Sequence, residues 1–241
     1  MNTVKAEPRA HSTDRDVTTI YLIRHGETLF NTTDQIQGFS DSPLTNTGIC
    51  QAKKVGQNLR QVRFDLAYTG DLGRQRNTLK LILAQNKQKR PKVRYHDGFK
   101  EWNFGGYEGK QNAEMWQPIF KVHGFNVDES WSDYEKLEQI LGDEGMVQAI
   151  SSNDSLRAAE SYSEIVARGN AAMAQVIKEV NDKKAKNVLI VTSGGMIPTL
   201  LDLVLTERYQ RKLIANCGVT IIKLKNNLFS LDVIGDTRYM Q

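Results

Sequence analysis

The chain contains 241 residues, which is enough for one large α/β domain or two small ones. Hydrophobic residues make up 39% and charged residues 25%, as in an ordinary soluble globular protein, and no apolar run approaches the roughly 18 residues that cross a bilayer. The net charge of +4 is spread along the chain. Its densest basic stretch, residues 87–92, has no interleaved aromatic residues, which argues against nucleic-acid binding.

The amino-terminal segment and the cysteines indicate where the protein resides. Residues 1–17 are polar and lack the apolar core of a signal peptide, so they predict a disordered tail in which His11 has no role. Cys50 and Cys217 lie far apart, and neither has the spacing of a metal site. Two cysteines in a chain of this length fit reduced thiols, and we expect a cytoplasmic protein.

The first predicted strand ends in a group of residues that suits an anion. Residues 20–23 form a short apolar run that is typical of a strand buried on both faces, and Arg24, His25 and Gly26 follow directly. Open α/β sheets bind their ligands at the carboxyl ends of such strands. A buried arginine is costly unless an anion shares the site, and its charge keeps His25 neutral and nucleophilic.

A loop and two further elements follow this strand. Gly, Ser, Asp and Pro residues over 35–45 predict an ordered loop, and Thr45 or Asn46 can cap the helix after it. Residues 64–69 predict the second strand, and a helix from Asp71 carries Arg74 in its first turn. A cation there is mildly unfavourable against the helix dipole, but an anion bound at the helix amino terminus would reverse that penalty.

The second half of the chain has three parts. Helical spacing over 110–159 predicts a helical insertion, whose aromatic residues either line a pocket or form a small core of their own. Ser161 and Glu164 form a capping box at the start of a long amphipathic helix. A strand at 187–192 runs into Ser193, Gly194 and Gly195, and the chain closes with strands at 218–224 and 228–234. Alternation over 220–225 predicts a half-buried edge strand, and Asn226 with Asn227 predicts a tight hairpin.

Four separated motifs together resemble the histidine phosphatase superfamily, the phosphoglycerate-mutase-like enzymes. They are Arg24-His25-Gly26-Glu27-Thr28 with Asn31, the loop 38–45 with Gly48, the strand-to-helix element 68–74 with Thr78, and Phe99-x-Glu101 with 104–109. The resemblance covers residues 18–235 apart from the insertion. It implies one domain, residues 18–241, with a three-layer α/β/α fold: a mostly parallel sheet, helices on both faces and the insertion 110–159 over the carboxyl strand ends.

The resemblance also implies a mechanism. His25 would attack phosphorus, Arg24 and Arg74 would neutralise the phosphoryl oxygens, and Glu101 would protonate the leaving group. Substrate contacts would come from Thr28, Asn31, Gln37, Gly38, Arg24, Arg74 and Gly194. The substrate would be a small phosphorylated metabolite, with no metal, cofactor, nucleic acid or membrane involved, and the protein a monomer or homodimer. Residues 102–109 resemble the phosphatase branch more than the glycolytic mutases.

One position departs from the pattern of the superfamily. The strand at 187–192 is expected to lead into a histidine before the two glycines, and this chain has Ser193 there. Loss of a preorganised donor to developing charge costs about 10² to 10³ in rate. Three interpretations are open: a slow or specialised phosphatase, a phosphate-ligand binder without catalysis, or a substitution introduced by an experimenter. A mutase-type enzyme is a further alternative.

Overall fold

The fold is built on one six-stranded sheet. The computed structural model describes residues 17–128 and 131–241, so the predicted tail over 1–17 lies outside the described residues except for Val17. The strands follow the order β3-β2-β4-β1-β5-β6 across the sheet. They are β1 (Thr18–Arg24), β2 (Leu66–Thr69), β3 (Val93–Tyr95), β4 (Asn187–Thr192), β5 (Val219–Lys225) and β6 (Leu228–Asp236).

The two strands that carry the predicted chemistry lie side by side in the middle of the sheet. β1 pairs with β4 in parallel, with Arg24 opposite Thr192, and β2 pairs in parallel with both β4 and β3. β5 and β6 are antiparallel to their neighbours. The carboxyl ends of four strands therefore meet at one edge, and the predicted α/β fold with a mostly parallel sheet is confirmed.

Helices cover both faces of the sheet because strand side chains alternate between the two faces. Ile20 and Leu22 pack on one side, while Ile23 packs on the other. The helices α2 (Asn46–Asn58) and α3 (Gly73–Gln85) cover the face of Ile23, and α6 (Tyr162–Lys183) and α7 (Met196–Val204) cover the opposite face. A short helix α1 (Leu29–Thr32) follows the first strand. No helix within the two described stretches is long and apolar enough to span a membrane.

The predicted insertion contains two helices, α4 (Asn112–Val122) and α5 (Tyr134–Asn153). α5 is interrupted at Gly142, which has a positive φ of 60°. Met115, Phe120 and Leu137 pack with other residues of the two helices into a separate apolar cluster. The expected small helical core is therefore present, and some of its aromatic residues also border the site described below.

Local sequence signals predict most of the element boundaries correctly. The Thr45 hydroxyl accepts from the Gly48 N–H at the start of α2, and Ser161 forms its capping box with Glu164 at the start of α6. Asn226 and Asn227 both adopt a positive φ, as the two central residues of a type I′ hairpin turn require.

The predicted position of the last two strands in the sheet is wrong in one respect. β5, predicted as a half-buried edge, lies between β1 and β6, and its first four residues are all buried. The strand at this edge of the sheet is β6. Alternation in β5 is confined to its last residues, Lys223 to Lys225, which lie beyond the core; this is why the pattern imitates an edge.

An ionic cluster joins the insertion to the rest of the domain. The guanidinium of Arg211, between α7 and β5, contacts the carboxylates of Glu138 and Asp143 in α5 and of Asp202 in α7. Asp143 is buried, and a buried carboxylate that lost its cationic partner would destabilise the fold. Arg211 thus holds the insertion against the layer of α7.

We expect Arg211→Met to lower the free energy of unfolding by about 3 kcal/mol, because it strands the buried charge of Asp143. Urea unfolding followed by circular dichroism measures this. Arg238→Met is the matched control, since Arg238 pairs with Asp236 but is largely exposed; its loss should be much smaller than that of Arg211→Met. Equal losses for the two variants would mean that Arg211 does not anchor the insertion.

Candidate functional site

His25 lies directly after β1, at the carboxyl edge of the sheet, with 3% of its surface exposed. Its Nδ1 lies 2.9 Å from the Gly26 carbonyl oxygen, which can only accept, so Nδ1 carries the proton and Nε2 carries the lone pair. Burial lowers the pKa of His25 well below its usual value, and the charges of Arg74 and Arg24 lower it further. A neutral imidazole with a fixed tautomer is a competent nucleophile.

Arg24 adjoins His25 and is only partly paired. Its Nη1 donates to the Ile214 carbonyl oxygen at 2.6 Å, whereas its buried Nε has no hydrogen-bond partner among the described residues. Burial lowers the pKa of Arg24, while the nearby Glu101 opposes that shift. A buried N–H group of a cation without an acceptor is costly, and an anion at this point would satisfy it.

Arg74 is 1% exposed and is held by backbone oxygens. Its Nη2 donates to the carbonyls of Gln37 and Gly38 at 2.9 and 2.7 Å, and its Nη1 donates to the carbonyl of Ser40 at 2.8 Å. The carboxylate of Asp41 lies 3.2 Å from Nη1. The four terminal N–H groups are thus accounted for, and the buried Nε is again unpaired within residues 17–128 and 131–241.

Glu108 holds the same loop from its other side. Its carboxylate accepts from the backbone N–H groups of Gly38, Phe39 and Ser40 at 2.7 to 3.1 Å, and from that of Phe104 at 2.9 Å. Gly38 therefore has its N–H on Glu108 and its carbonyl on Arg74. The loop is fixed between an anion and a cation, so the contacts of Glu108 are structural.

Glu101 faces this group from the segment after β3 and is 7% exposed. Its two carboxyl oxygens accept from the backbone N–H groups of Trp102 and Gly195, each at 3.0 Å. Burial raises the pKa of Glu101, although these bonds and the two arginines act in the opposite direction. An added Cβ at Gly195 would lie 2.8 Å from the Glu101 carboxyl, so only glycine allows this approach.

The other predicted substrate contacts form a polar network beneath His25. Thr28 caps α1, and its hydroxyl contacts the side-chain oxygens of Asn31 at 3.0 Å and Gln37 at 3.2 Å. Asn216 donates to the Asn31 oxygen and to the backbone oxygen of His25, each at 3.1 Å. Asn216 has only a weak signal in the sequence, a residue shortly before β5, and its placement depends on the tertiary fold.

Ser193 and Gly194 follow β4, next to the end of β1. Gly194 approaches Arg24 closely, since an added Cβ would lie 3.2 Å from its Nε. Ser193 is fully buried, and its hydroxyl accepts from the side-chain amide of Gln75 at 2.8 Å. Sequence reasoning did not identify Gln75, because it follows the arginine on α3 and shares no local pattern with position 193.

A cleft of about 290 Å³ opens beside these residues. Arg24, Glu101 and the two glycines after Ser193 line it together with residues of the insertion. The lining side chains from the insertion include Trp116, Trp131, Tyr134, Glu138 and Asp143, and Lys212 lines the cleft from the segment before β5. Neither described stretch contains a group of three or more His, Cys, Asp or Glu residues that could hold a metal ion.

Comparison with known proteins identifies relatives over nearly the whole chain. The family model described as histidine phosphatase superfamily (branch 1) matches residues 20–140 and 127–237. A broad-specificity phosphatase of Saccharomyces cerevisiae, YOR283W, is 27% identical over 233 residues, which are 94% of this chain and 89% of the relative. A 2,3-bisphosphoglycerate-dependent phosphoglycerate mutase of Pseudoalteromonas atlantica is 34% identical over 127 residues, which are 51% of this chain and 56% of the relative.

Solved structures agree with this. The crystal structure of a phosphoglycerate mutase from Bacillus anthracis is 28% identical and superimposes with a TM-score of 0.82, covering 95% of this chain and 98% of the other. A putative alpha-ribazole-5'-P phosphatase from Escherichia coli has the same fold, with a TM-score of 0.66 at 20% identity over 91% of this chain and 97% of the other. Phosphatases and mutases both occur among these similar proteins.

The raised pKa of Glu101 predicts a pH dependence of stability. The pKa of this acid is higher in the folded than in the unfolded state. It therefore does not lower the free energy of unfolding at a pH below its unfolded pKa, near 4.5, and lowers it by the full amount at a pH above its folded pKa. The unfolding free energy of the wild type relative to Glu101→Gln should therefore fall from pH 4 to pH 8, by about 1.4 kcal/mol for each unit of elevation. Urea unfolding at several pH values measures it.

The control for this measurement is Glu164→Gln. Bonds from Ser161 lower the pKa of the exposed Glu164, so its pH trend has the opposite sign. A difference between wild type and Glu101→Gln that is constant or rises with pH would contradict the raised pKa of Glu101.

Proposed function

The chain belongs to the histidine phosphatase superfamily, and from that premise we propose that it hydrolyses phosphomonoesters through a phosphoryl group carried on His25. One observation carries the proposal: a neutral, buried imidazole lies beside two buried arginines, each with an Nε that has no partner in residues 17–128 and 131–241. Such a group of donors is costly unless an anion completes it.

In the first step His25 Nε2 attacks phosphorus and the ester P–O bond breaks. Arg24 and Arg74 stabilise the charge on the phosphoryl oxygens. Glu101 delivers its proton to the leaving oxygen, for which its raised pKa suits it. In the second step water attacks phosphorus, the Glu101 carboxylate takes a proton from it, and the N–P bond breaks to release inorganic phosphate.

The bond between Nδ1 of His25 and the Gly26 carbonyl supports this sequence. It holds the ring with Nε2 directed away from the backbone, and it stabilises the positive charge that the ring acquires when Nε2 is phosphorylated. The charges that this step needs come from side chains, so the proposed reaction uses no metal.

We propose that Ser193 occupies the position of a second histidine in the superfamily pattern. A serine hydroxyl donates one neutral hydrogen bond where an imidazolium would donate a charged one, so transition-state stabilisation is weaker. The proposed enzyme is therefore slower than it would be with that histidine, yet it retains the nucleophile His25, the acid Glu101 and both arginines.

The cleft favours a small phosphorylated metabolite with an apolar or planar leaving group. Three of the side chains that line the cleft, Trp116, Trp131 and Tyr134, pack edge to face with one another. Arg24 and Lys212 are the basic residues among those that line it. Residues 102–109 resemble the phosphatase branch more than the glycolytic mutases, so hydrolysis is favoured here over a phosphoglycerate mutase reaction.

The function is tested by trapping the intermediate. We expect a burst of phenol-type product from an aryl phosphate, and a phosphoryl label that is stable to base and labile to acid, located on His25 by mass spectrometry. His25→Ala should abolish both. A protein that only binds phosphate would be stabilised by it against heat without releasing product, and a mutase would isomerise a phosphoglycerate without releasing phosphate.

The role of Glu101 has its own test. Glu101→Gln should lower the rate about 10² to 10⁴-fold with an alkyl phosphate, whose leaving oxygen needs a proton. With p-nitrophenyl phosphate, whose leaving group departs without a proton, the loss of the first step should stay below about tenfold. Burst kinetics separate that step from hydrolysis of the intermediate. Equal losses with both substrates would show that Glu101 is not the acid.

A further inference from the structure

We infer that Gln75 is a positioning residue of the anion site, which fixes the Ser193 hydroxyl as a hydrogen-bond donor to a bound phosphoryl group. The inference rests on the proposed function for its role in turnover, although its effect on phosphate binding can be measured separately. It follows from the contacts of one buried side-chain amide.

The orientation of that amide is determined by its neighbours. The Gln75 nitrogen lies 2.9 Å from the Phe99 carbonyl oxygen and 2.8 Å from the Ser193 oxygen. A carbonyl oxygen only accepts, so the atom that faces Phe99 must be the NH2 group. One of its two hydrogens bonds to Phe99, and the other bonds to Ser193.

This arrangement determines how Ser193 can bond. Its oxygen accepts from Gln75, so the hydroxyl proton of Ser193 must be donated elsewhere. Ser193 lies between Thr192, whose carbonyl accepts from the His25 N–H at 2.9 Å, and Gly194, which approaches Arg24. Ser193 thus follows the strand that pairs with the strand of the nucleophile, and its hydroxyl proton has no acceptor within the described part of the chain, which suits an anion and does not suit a ligand that donates.

Gln75 also fills the space around position 193. Its side-chain oxygen is buried and has no partner within the described part of the chain. An added Cβ at Gly70 would lie 2.1 Å from that oxygen. Glycine at this position, directly after β2, therefore leaves the space that the Gln75 amide occupies. Positions 70, 75 and 193 therefore form one set of interlocking contacts.

The test is a double-mutant cycle on the affinity for inorganic phosphate, measured by isothermal titration calorimetry. Gln75→Met keeps the size of the side chain and removes both N–H donors. We expect Gln75→Met and Ser193→Ala each to weaken phosphate binding about tenfold, and the double variant to bind no more weakly than Ser193→Ala alone. The value of kcat/KM should follow the same pattern.

Thr192→Val is the matched control. The Thr192 hydroxyl donates to the same Phe99 carbonyl at 2.7 Å, so the variant loses a buried bond without touching Ser193. Its thermal stability should fall while its phosphate affinity stays within twofold. If Gln75→Met weakens phosphate equally with serine or alanine at 193, or lowers only stability, the inference is overturned.

Two further outcomes keep the inferences distinguishable. If the wild type binds phosphate with the predicted cycle but turns over no ester, the proposed function fails and the role of Gln75 in binding stands. If the wild type does not bind millimolar phosphate, the role of Gln75 is overturned. Should Gln75→Met not fold, Gln75→Glu takes its place: the oxygen that replaces the amide nitrogen has one proton to donate to Phe99, and its lone pair accepts the Ser193 proton, so phosphate affinity should fall as it does in Ser193→Ala.

The space argument adds a rescue experiment. Ser193→His places an imidazole where the Gln75 amide lies, so this variant should lose stability and gain no activity. The variant that combines Ser193→His with Gln75→Ala removes the obstruction and should regain stability relative to the single change. Equal stability of the two would contradict the interlocking contacts.

Discussion

The structure of this site depends on burying two guanidinium groups against one imidazole. Arg24 and Arg74 both lose water on folding, and burial lowers the pKa of each. They are held in place by backbone carbonyls and, for Arg74, by Asp41. Each nevertheless retains an unpaired Nε among the described residues. The folded site therefore favours the binding of an anion, because the surrounding elements leave these two cationic N–H groups without an acceptor.

The loop from Gln37 to Asp41 shows how the fold keeps Arg74 in this position. Arg74 donates to carbonyl oxygens of the loop and Glu108 accepts from its backbone N–H groups, so neither the cation nor the loop can rearrange independently. Arg74 is thereby a structural residue through its terminal nitrogens, and only its Nε is left for the anion that we propose. A substitution at this position would mix the two effects, which is why more informative changes lie at Gln75 and Ser193.

The sequence predicted those features of this protein that are determined by residues close together in the chain. A hydrophobic run that ends in Arg-His-Gly, the capping box of Ser161 and the Asn-Asn turn are each contained within about ten residues, and all three were located correctly. Features that depend on distant segments were missed. The alternation in β5 could not show that β6 lies outside it, and nothing near Arg74 indicates that its terminal nitrogens bind a loop 34 to 37 residues away. The bond between Gln75 and Ser193, 118 residues apart, is of the same kind.

The local charge explains why a neutral donor at position 193 matters. The positive charges of Arg24 and Arg74 are opposed by the carboxylate of Asp41, which pairs with Arg74, and by the nearby Glu101 and Glu108, so the site offers little excess positive charge to the phosphoryl dianion that we propose. A histidine at 193 would add to that charge when protonated, and serine cannot. The site must then rely on oriented neutral dipoles, whose value depends on preorganisation because they carry no charge to compensate for misalignment. The Gln75 amide, which is fixed by the Phe99 carbonyl, provides that orientation for Ser193. Because position 193 carries no charge, the geometry of Gln75 becomes decisive.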